Sequence, residues 1–365
     1  MKFCSNKDEL LKVVQIVQSA INTKSTLPIL SNILIETTET GTTLTATDFD
    51  IGIISTSPIK AQVPGSITVP AKKFSDIIKE LPDKEIISVS VKKNNLICIE
   101  CGKSTFKMMG LPKEEFPQPP EFKNKEFVVI GQKKLKKMIH MTEFAVSNDE
   151  VRYVLNGTLF TIKSTYIRLV ATDGRCLAMI EEKVQLPKTL EKKFIVPEKA
   201  ISEVDRILGE EGDVKIFYSD NQVLFDIGHT KLVSRLIEGE FPNYEKVIPE
   251  EAKNKIVINK NAFLSALKRV ALFTTPESMV VKIETAKDKI VISKASPSLG
   301  EAREELEVEY KGKEIAIGFN PSYIIDLLKN AEQETINFEL VDPDKPGVVR
   351  VGSEYVYVVM PRQLD

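Results

Sequence analysis

Few residues in this sequence are equipped for acid–base, nucleophilic or metal chemistry. There are two histidines, His140 and His229, four cysteines, Cys4, Cys98, Cys101 and Cys176, and no tryptophan. His140 sits in Lys136-Lys137-Met138-Ile139-His140-Met141, a stretch of helical character in which a solitary histidine reads as structural, and His229 follows Gly228 in a turn-like surface stretch. Cys98 and Cys101 form one C-x-x-C inside the alternating run Leu96-Ile97-Cys98-Ile99-Glu100-Cys101. A strand sends these two thiols to opposite faces, whereas zinc needs about four convergent ligands and an activated redox pair needs a helix N-terminus. Both cysteines are therefore expected to be buried and reduced. Three further motifs fail on spacing. Gly102-Lys103-Ser104 ends like a phosphate-binding loop, but the glycine required five residues earlier is Ile97. Asp342-Pro343-Asp344-Lys345-Pro346-Gly347 opens like a calcium loop, yet Pro346 occupies a ligand position and Ser353 replaces the closing glutamate. Asn156-Gly157-Thr158 is a glycosylation sequon of no consequence in a chain that stays inside the cell. Nothing in the spacing joins Asp173, Arg175 and His140 into a catalytic group. No catalytic residue, metal ligand set or cofactor site is expected.

The elements must therefore serve something other than catalysis. At 365 residues, 42% apolar and 28% charged, the chain has room for two or three domains. Its 50 Lys and Arg against 52 Asp and Glu exclude a uniformly basic coat protein and an acidic disordered chain. No apolar leader opens the sequence and no run approaches about 18 consecutive apolar residues, so a soluble, cytoplasmic protein with no membrane contact is expected.

Internal similarity organises the chain. Leu44-Thr45-Ala46-Thr47-Asp48 returns as Leu169-Val170-Ala171-Thr172-Asp173, and Glu115-Phe116-Pro117 as Glu240-Phe241-Pro242, both displaced by 125 positions. Val69-Pro70-Ala71-Lys72-Lys73 returns as Val196-Pro197-Glu198-Lys199-Ala200, displaced by 127, and Phe319-Asn320-Pro321 opens a comparable segment 124 residues after Pro197. Ordered matches at one shift indicate a tandem repeat, here three copies: 1–122, 123–250 and 251–365. Pro117–Lys125 and Pro249–Asn254, rich in proline and charge, read as linkers. In each copy a strand (Met1–Cys4, Glu126–Ile130, Lys255–Ile258) leads into an amphipathic helix. The helical stripes are Leu10, Val13, Val14, Val17 and Ile21; then Leu135, Met138, Ile139 and Thr142; then Phe263, Leu267, Val270 and Thr274. After several strands a second helix starts at a proline: Ala71–Leu81, Glu198–Leu208 and Pro321–Ala331. Two helices and about eight strands per copy imply an α+β domain with its helices on one face of antiparallel sheet.

The charge is sorted by element. Helices expected at 7–24, 72–81, 132–148, 198–208, 259–275 and 321–331 hold 16 Lys and Arg against 9 Asp and Glu, while the remainder holds 34 against 43. Lysine favours helices, but so does glutamate, which is scarce here. Helices sharing one face would present a positive surface suited to phosphate, whose affinity is salt-sensitive and blind to sequence.

From Met1-Lys2-Phe3 to Val358-Val359-Met360-Pro361 the sequence resembles the bacterial DNA polymerase III β subunits, the sliding clamps. The likeness rests on Thr26-Leu27-Pro28-Ile29-Leu30, Thr47-Asp48, Val69-Pro70-Ala71, Val151-Arg152-Tyr153-Val154-Leu155-Asn156-Gly157, Ala171-Thr172-Asp173-Gly174-Arg175, Gly239-Glu240-Phe241-Pro242-Asn243-Tyr244 and Met360-Pro361. The resemblance implies three similar clamp domains per chain, each with two helices packed on antiparallel sheets, and a head-to-tail homodimeric ring around duplex DNA. It implies no catalysis, an external ATP-driven clamp loader, and partners that include the replicative polymerase catalytic subunit and other proteins carrying a clamp-binding peptide. The peptide pocket maps to Leu155, Thr172, Gly174, Arg175, Leu177, Pro242, Val247, Val359, Met360, Pro361 and Arg362. DNA-facing positions map to Lys24, Lys73, Arg152, Tyr153 and Lys199, and the subunit contact to Phe106, Met108, Leu272, Phe273, Glu301, Glu304 and Glu305. Without the resemblance, Leu155, Leu177 and Val247 are ordinary core positions, and a peptide-binding adaptor of repeated domains that does not encircle DNA accounts for the same repeats.

Overall fold

Six α-helices, three of them built on the stripes read from the sequence, are found in the computed structural model, which describes residues 1–21, 27–119, 122, 126–186 and 191–364. These are α1 (Lys7–Gln18), α2 (Ala71–Glu80), α3 (Gln132–His140), α4 (Glu198–Ile207), α5 (Lys260–Ala271) and α6 (Pro321–Asn330). In α1 the buried residues are Leu10, Val13, Val14 and Val17, and in α5 Phe263, Ala266, Leu267 and Val270, each set one stripe at helical spacing. Burial of each large apolar side chain contributes roughly 1.5–3 kcal/mol. Asparagine starts three of the helices. Asn6, Asn259 and Asn320 accept the backbone N–H of Glu9, Ala262 and Ser322 at 2.8, 3.0 and 3.0 Å, which satisfies an otherwise unpaired helix-end donor.

Three helices end sooner than their apolar spacing predicts. The expected helix 132–148 stops at His140: Thr142 takes φ −129°, its hydroxyl donates to Met138 O at 2.9 Å, and 3₁₀ turns follow at Glu143–Ala145 and Glu150–Leu155. Thr142 is nevertheless fully buried, so its apolar spacing was real while its helical geometry was not. A hydroxyl that bonds the preceding turn competes with helix continuation. The helix expected over 259–275 ends at Ala271 with Leu272 as its cap, and α1 ends at Gln18, with positions 22–24 of the expected helix outside the described residues.

The described chain forms two compact units, Met1–Leu135 with Lys199–Leu236, and Lys136–Glu198 with Ile237–Asp365. In the first unit an eight-stranded sheet runs Phe127–Gly131, Asp213–Tyr218, Gln222–Ile227, Thr230–Arg235, Ile51–Ser57, Thr42–Thr47, Asn32–Thr37, Gly65–Pro70. A five-stranded sheet runs Ala61–Val63, Lys2–Ser5, Ile87–Val91, Leu96–Cys101, Ser104–Met109, and α1 packs on α2 and against the eight-stranded sheet. In the second unit the eight strands are Glu191–Pro197, Gly157–Lys163, Tyr166–Thr172, Cys176–Lys183, Tyr355–Val359, Gly347–Val351, Thr335–Glu339, Ile256–Asn259. Its smaller sheet runs Gly300–Glu307, Lys289–Ser296, Val281–Ala286, Ala316–Phe319, with α5 packed on α6 and against the first two of those strands. Every recorded strand pairing is antiparallel, as the α+β expectation requires.

Sequence repetition and compactness divide the chain differently. The middle repeat places four strands in each eight-stranded sheet, pairing Leu232 with Ile53 in one and Leu177 with Val358 in the other. Joining half-sheets this way removes strand edges that would otherwise be exposed. Four terminal strands pair on one side only among the described residues: Ala61–Val63 and Ser104–Met109 end the five-stranded sheet, Phe127–Gly131 ends the eight-stranded sheet of the first unit, and Gly300–Glu307 ends the four-stranded sheet. Cys98, Cys101 and Cys176 are buried free thiols, the first two on strand Leu96–Cys101, and His140 and His229 are exposed.

Candidate functional site

In the second unit, a cavity of about 190 Å³ opens where strand Cys176–Lys183 lies against Tyr355–Val359. Leu177 and Val358 are directly paired across those strands and form its floor, as part of a buried cluster with Leu159, Val170, Ile195, Val348 and Val356. Leu155 enters from the 3₁₀ turn Glu150–Leu155, and the exposed Val247 and Met360 carry the apolar surface out to solvent. Pro242, Asn243 and Tyr244 complete one wall. A space of this size accepts one or two side chains of a ligand that lies across it.

The opposite rim is the tight loop Thr172–Cys176. Thr172 Oγ1 donates to Cys176 O at 2.5 Å and accepts from Gly174 N at 3.0 Å. Asp173 Oδ1 accepts from the backbone N–H groups of Arg175 and Cys176 at 2.7 and 2.8 Å, and its Oδ2 accepts the Tyr323 hydroxyl at 2.8 Å. Burial pushes the Asp173 carboxyl up, but these donors outweigh it and hold the group below the usual carboxylate range. Burial and the Asp173 hydrogen bond push the Tyr323 phenol up to about 12. Asp173 therefore braces the loop. Gly174 has φ +84°, a left-handed conformation that favours glycine, while a Cβ there would meet only the movable tip of Arg152, at 2.6 Å from Nη1. The chain after Val359 docks through Met360 N–H to Arg175 O at 2.8 Å.

Eight of the eleven pocket positions expected from the sequence line this cavity: Leu155, Thr172, Gly174, Arg175, Leu177, Pro242, Val247 and Met360. Val359, Pro361 and Arg362 do not. Strand alternation turns Val359 away and puts Val358 beside Leu177, and Arg362 N–H bonds Gly318 O at 2.8 Å, drawing the tail onto strand Ala316–Phe319. Cys176, Asn243, Tyr244 and Val358 line the cavity without having been expected. Period two along 355–359 could have selected Val358; the others depend on how a loop folds back.

The expected basic positions differ in availability. Lys73 on α2 is exposed, as are Arg152 and Tyr153 on their 3₁₀ turn, where Arg152 Nε meets Asp149 at 3.2 Å. Lys24 lies outside the described residues. Lys199 on α4 is already engaged: its ammonium pairs with Asp48 and donates to Ala20 O at 3.2 Å. From the same helix Arg206 donates to Gln15 O and Ile16 O, at 3.3 and 2.8 Å. These two cations close the C-terminal end of α1, whose carbonyls attract positive charge. Even so, the six helices as observed hold 15 Lys and Arg against 8 Asp and Glu, so the basic surplus seen in the sequence survives their true boundaries.

Family models for the DNA polymerase III beta subunit match the chain three times in succession: the N-terminal domain over residues 1–120, the central domain over 129–243 and the C-terminal domain over 245–363. This chain belongs to the DNA polymerase III beta subunit family. Among its relatives, the beta sliding clamp of Pseudomonas aeruginosa is 34% identical over 368 residues and that of Chlamydia pneumoniae 31% over 364, with 100% of this chain covered and 100% and 99% of theirs. Solved sliding clamps from Bartonella birtlesii, bound to griselimycin, and from Bacillus subtilis superpose with TM-scores of 0.94 and 0.93 at 31% and 30% identity, each over 100% of both chains.

In this sliding clamp of three domains, two of the open edges have opposite character. Strand Ser104–Met109 exposes Phe106 and Met109, with Met108 half-buried and Lys107 exposed between them. Strand Gly300–Glu307 is acidic. Glu301 is exposed, Glu304 grips Arg269 of α5 through both oxygens at 2.7 and 2.6 Å, and Glu305 meets Lys289 at 3.1 Å. Beside it, Leu272 caps α5 with 76% of its surface exposed, and Phe273 lies 3.8 Å from where a Cβ on Gly300 would sit.

Proposed function

We propose that two copies of this chain close head to tail into a ring around duplex DNA, and that the ring tethers the replicative polymerase and other replication and repair proteins. The observation that carries this is the pair of open edges. One is apolar with a lysine, the other acidic beside a bare leucine, and a second copy supplies each with its complement. An apolar centre with charged surroundings is the make-up of an interface that can close and reopen. A head-to-tail contact of this kind either closes into a ring or grows into a filament, and three domains per chain give a ring six. Domain limits at 1–122, 123–250 and 251–365 follow the repeat.

Topology then holds the DNA, so contact energy can stay small. The helical lysines and arginines, Lys73 and Arg152 among them with Tyr153 alongside, make loose phosphate contacts without reading bases, which permits sliding. Partners reach the ring through a short extended peptide whose Leu or Phe side chain fills the cavity over Leu177 and Val358. The chain does no chemistry of its own, and an external ATP-driven loader opens it in the cytoplasm, at the nucleoid.

Loading onto nicked circular duplex DNA tests the reading. The protein is expected to remain bound through gel filtration at moderate salt and to leave when the circle is cut once. Equal retention on circular and linear DNA would refute encirclement, and peptide binding by a monomer that leaves both DNAs alike would favour a peptide-binding adaptor.

A further inference from the structure

The segment 238–248 supplies Pro242, Asn243, Tyr244 and Val247 to the cleft, yet among the described residues it makes no backbone hydrogen bond to the sheet beneath it. The last such bond before it is Ile237 N–H to Ile195 O at 2.9 Å, and the next anchor after it is Arg350 Nη2 to Pro249 O at 2.6 Å. Between those points Phe241, Tyr244 and Ile248 pack on the apolar cluster, which resists lifting but leaves sliding open. The directional tie is Arg168, on strand Tyr166–Thr172, with only 17% of its side chain exposed. Its Nε and Nη2 donate to Glu181, its cross-strand partner, at 3.0 and 2.7 Å, and the guanidinium lies over the Tyr166 ring at 4.6 Å. Those contacts fix the plane of the fork. The remaining nitrogen, Nη1, then points at the segment and donates to the Tyr244 hydroxyl at 3.0 Å and to Glu245 at 3.1 Å.

We propose that Arg168 is a positioning residue of the cleft: by fastening Tyr244 and Glu245 to the sheet, it holds the wall that carries Val247 in its peptide-accepting place before a peptide arrives. This rests on the reading of the cleft as a peptide site. Ordering the wall in advance removes an entropy cost from binding, so the effect falls on affinity although Arg168 does not line the cavity.

The test titrates a fluorescein-labelled peptide with Gln and Leu-Phe anchors into the wild type, Arg168→Lys, Arg168→Met, Tyr244→Phe and the Arg168→Met/Tyr244→Phe double variant. Amide hydrogen exchange of the peptide-free proteins is measured in parallel. Lysine keeps the charge opposite Glu181 but cannot span to Tyr244, and Tyr244→Phe removes one hydroxyl from an intact ring. The expected result is affinity weaker by roughly threefold to tenfold in each single variant, within the range for the net contribution of one typical hydrogen bond. The double variant should be no weaker than Arg168→Met, because both changes cut the same tie, and exchange should quicken in 238–249 alone. Unchanged affinity in Arg168→Lys and Tyr244→Phe, fully additive losses, or unchanged exchange in 238–249 would overturn the proposal. Failure of the wild type to bind the peptide would instead overturn the reading of the cleft, and exchange in the free proteins would still decide whether Arg168 holds the wall.

Discussion

Leu272→Ala isolates ring closure from folding. Leu272 is 76% exposed in the single chain, so its truncation leaves no cavity in the protomer, and a surface change of this kind costs within about 0.5 kcal/mol of stability. If a second copy covers it, the exposed part is what closure buries. Full burial of a leucine is worth about 1.5–3 kcal/mol, so three-quarters of one, less the alanine methyl, is about 1–2 kcal/mol at each junction. A ring has two junctions, and complete dissociation breaks both. The dimer dissociation constant should therefore rise by about 2–4 kcal/mol, or roughly 30- to 700-fold, with an unchanged melting temperature for the monomer. Sedimentation equilibrium over a range of protein concentrations, beside thermal melts, measures both quantities. A dissociation constant within threefold of wild type would refute the placement of Leu272 at the junction, and a monomer melting several degrees lower would show that its role is internal.

Three other outcomes are expected. Lys73→Ala should lower the slope of log affinity against log salt for duplex DNA by about one, whereas Lys199→Ala, whose cation is already matched by Asp48, should leave the slope unchanged and lower thermal stability instead; fluorescence anisotropy over a salt series separates the two. Asp173 has its pKa depressed in the folded state, so its contribution to stability is present above the unfolded carboxylate pKa and is lost as pH falls through the lower folded value; melts between about pH 6 and 2 should show a weaker acid dependence in Asp173→Asn than in wild type. Val247→Ala, at a half-exposed cleft position, should weaken peptide binding with little change in melting temperature, while Leu177→Ala, in the buried floor, should cost about 2–5 kcal/mol of stability by calorimetry.

The helical stripes and the sorting of positive charge onto helices were legible in the residue order because each depends on spacing within a dozen neighbours, and the repeat because the same short segments return in order at one shift of about 125 positions. Leu10, Val13, Val14 and Val17 bury as their period demands. Helix ends were less legible: Thr142 continues the apolar spacing, but its hydroxyl bonds back to Met138 and the backbone leaves the helix. Of the eleven positions that the resemblance maps to the cleft, eight line the cavity and three do not. Val359 and Val358 are equally apolar, and only the pairing of Leu177 with Val358 chooses between them.

What tertiary structure alone decided is which charges are available and which walls are held. Lys73 and Lys199 look alike in a charge count and both are exposed, yet Lys199 pairs with Asp48, 151 residues away in the chain. Arg168 and Tyr244 are 76 residues apart, and nothing in either neighbourhood foretells their bond. Local sequence sets period and propensity through short-range sterics and the segregation of apolar surface. Pairing between distant segments is set by how half-sheets join across repeats, and that joining both turned Val358 into the cleft and brought Lys199 to Asp48.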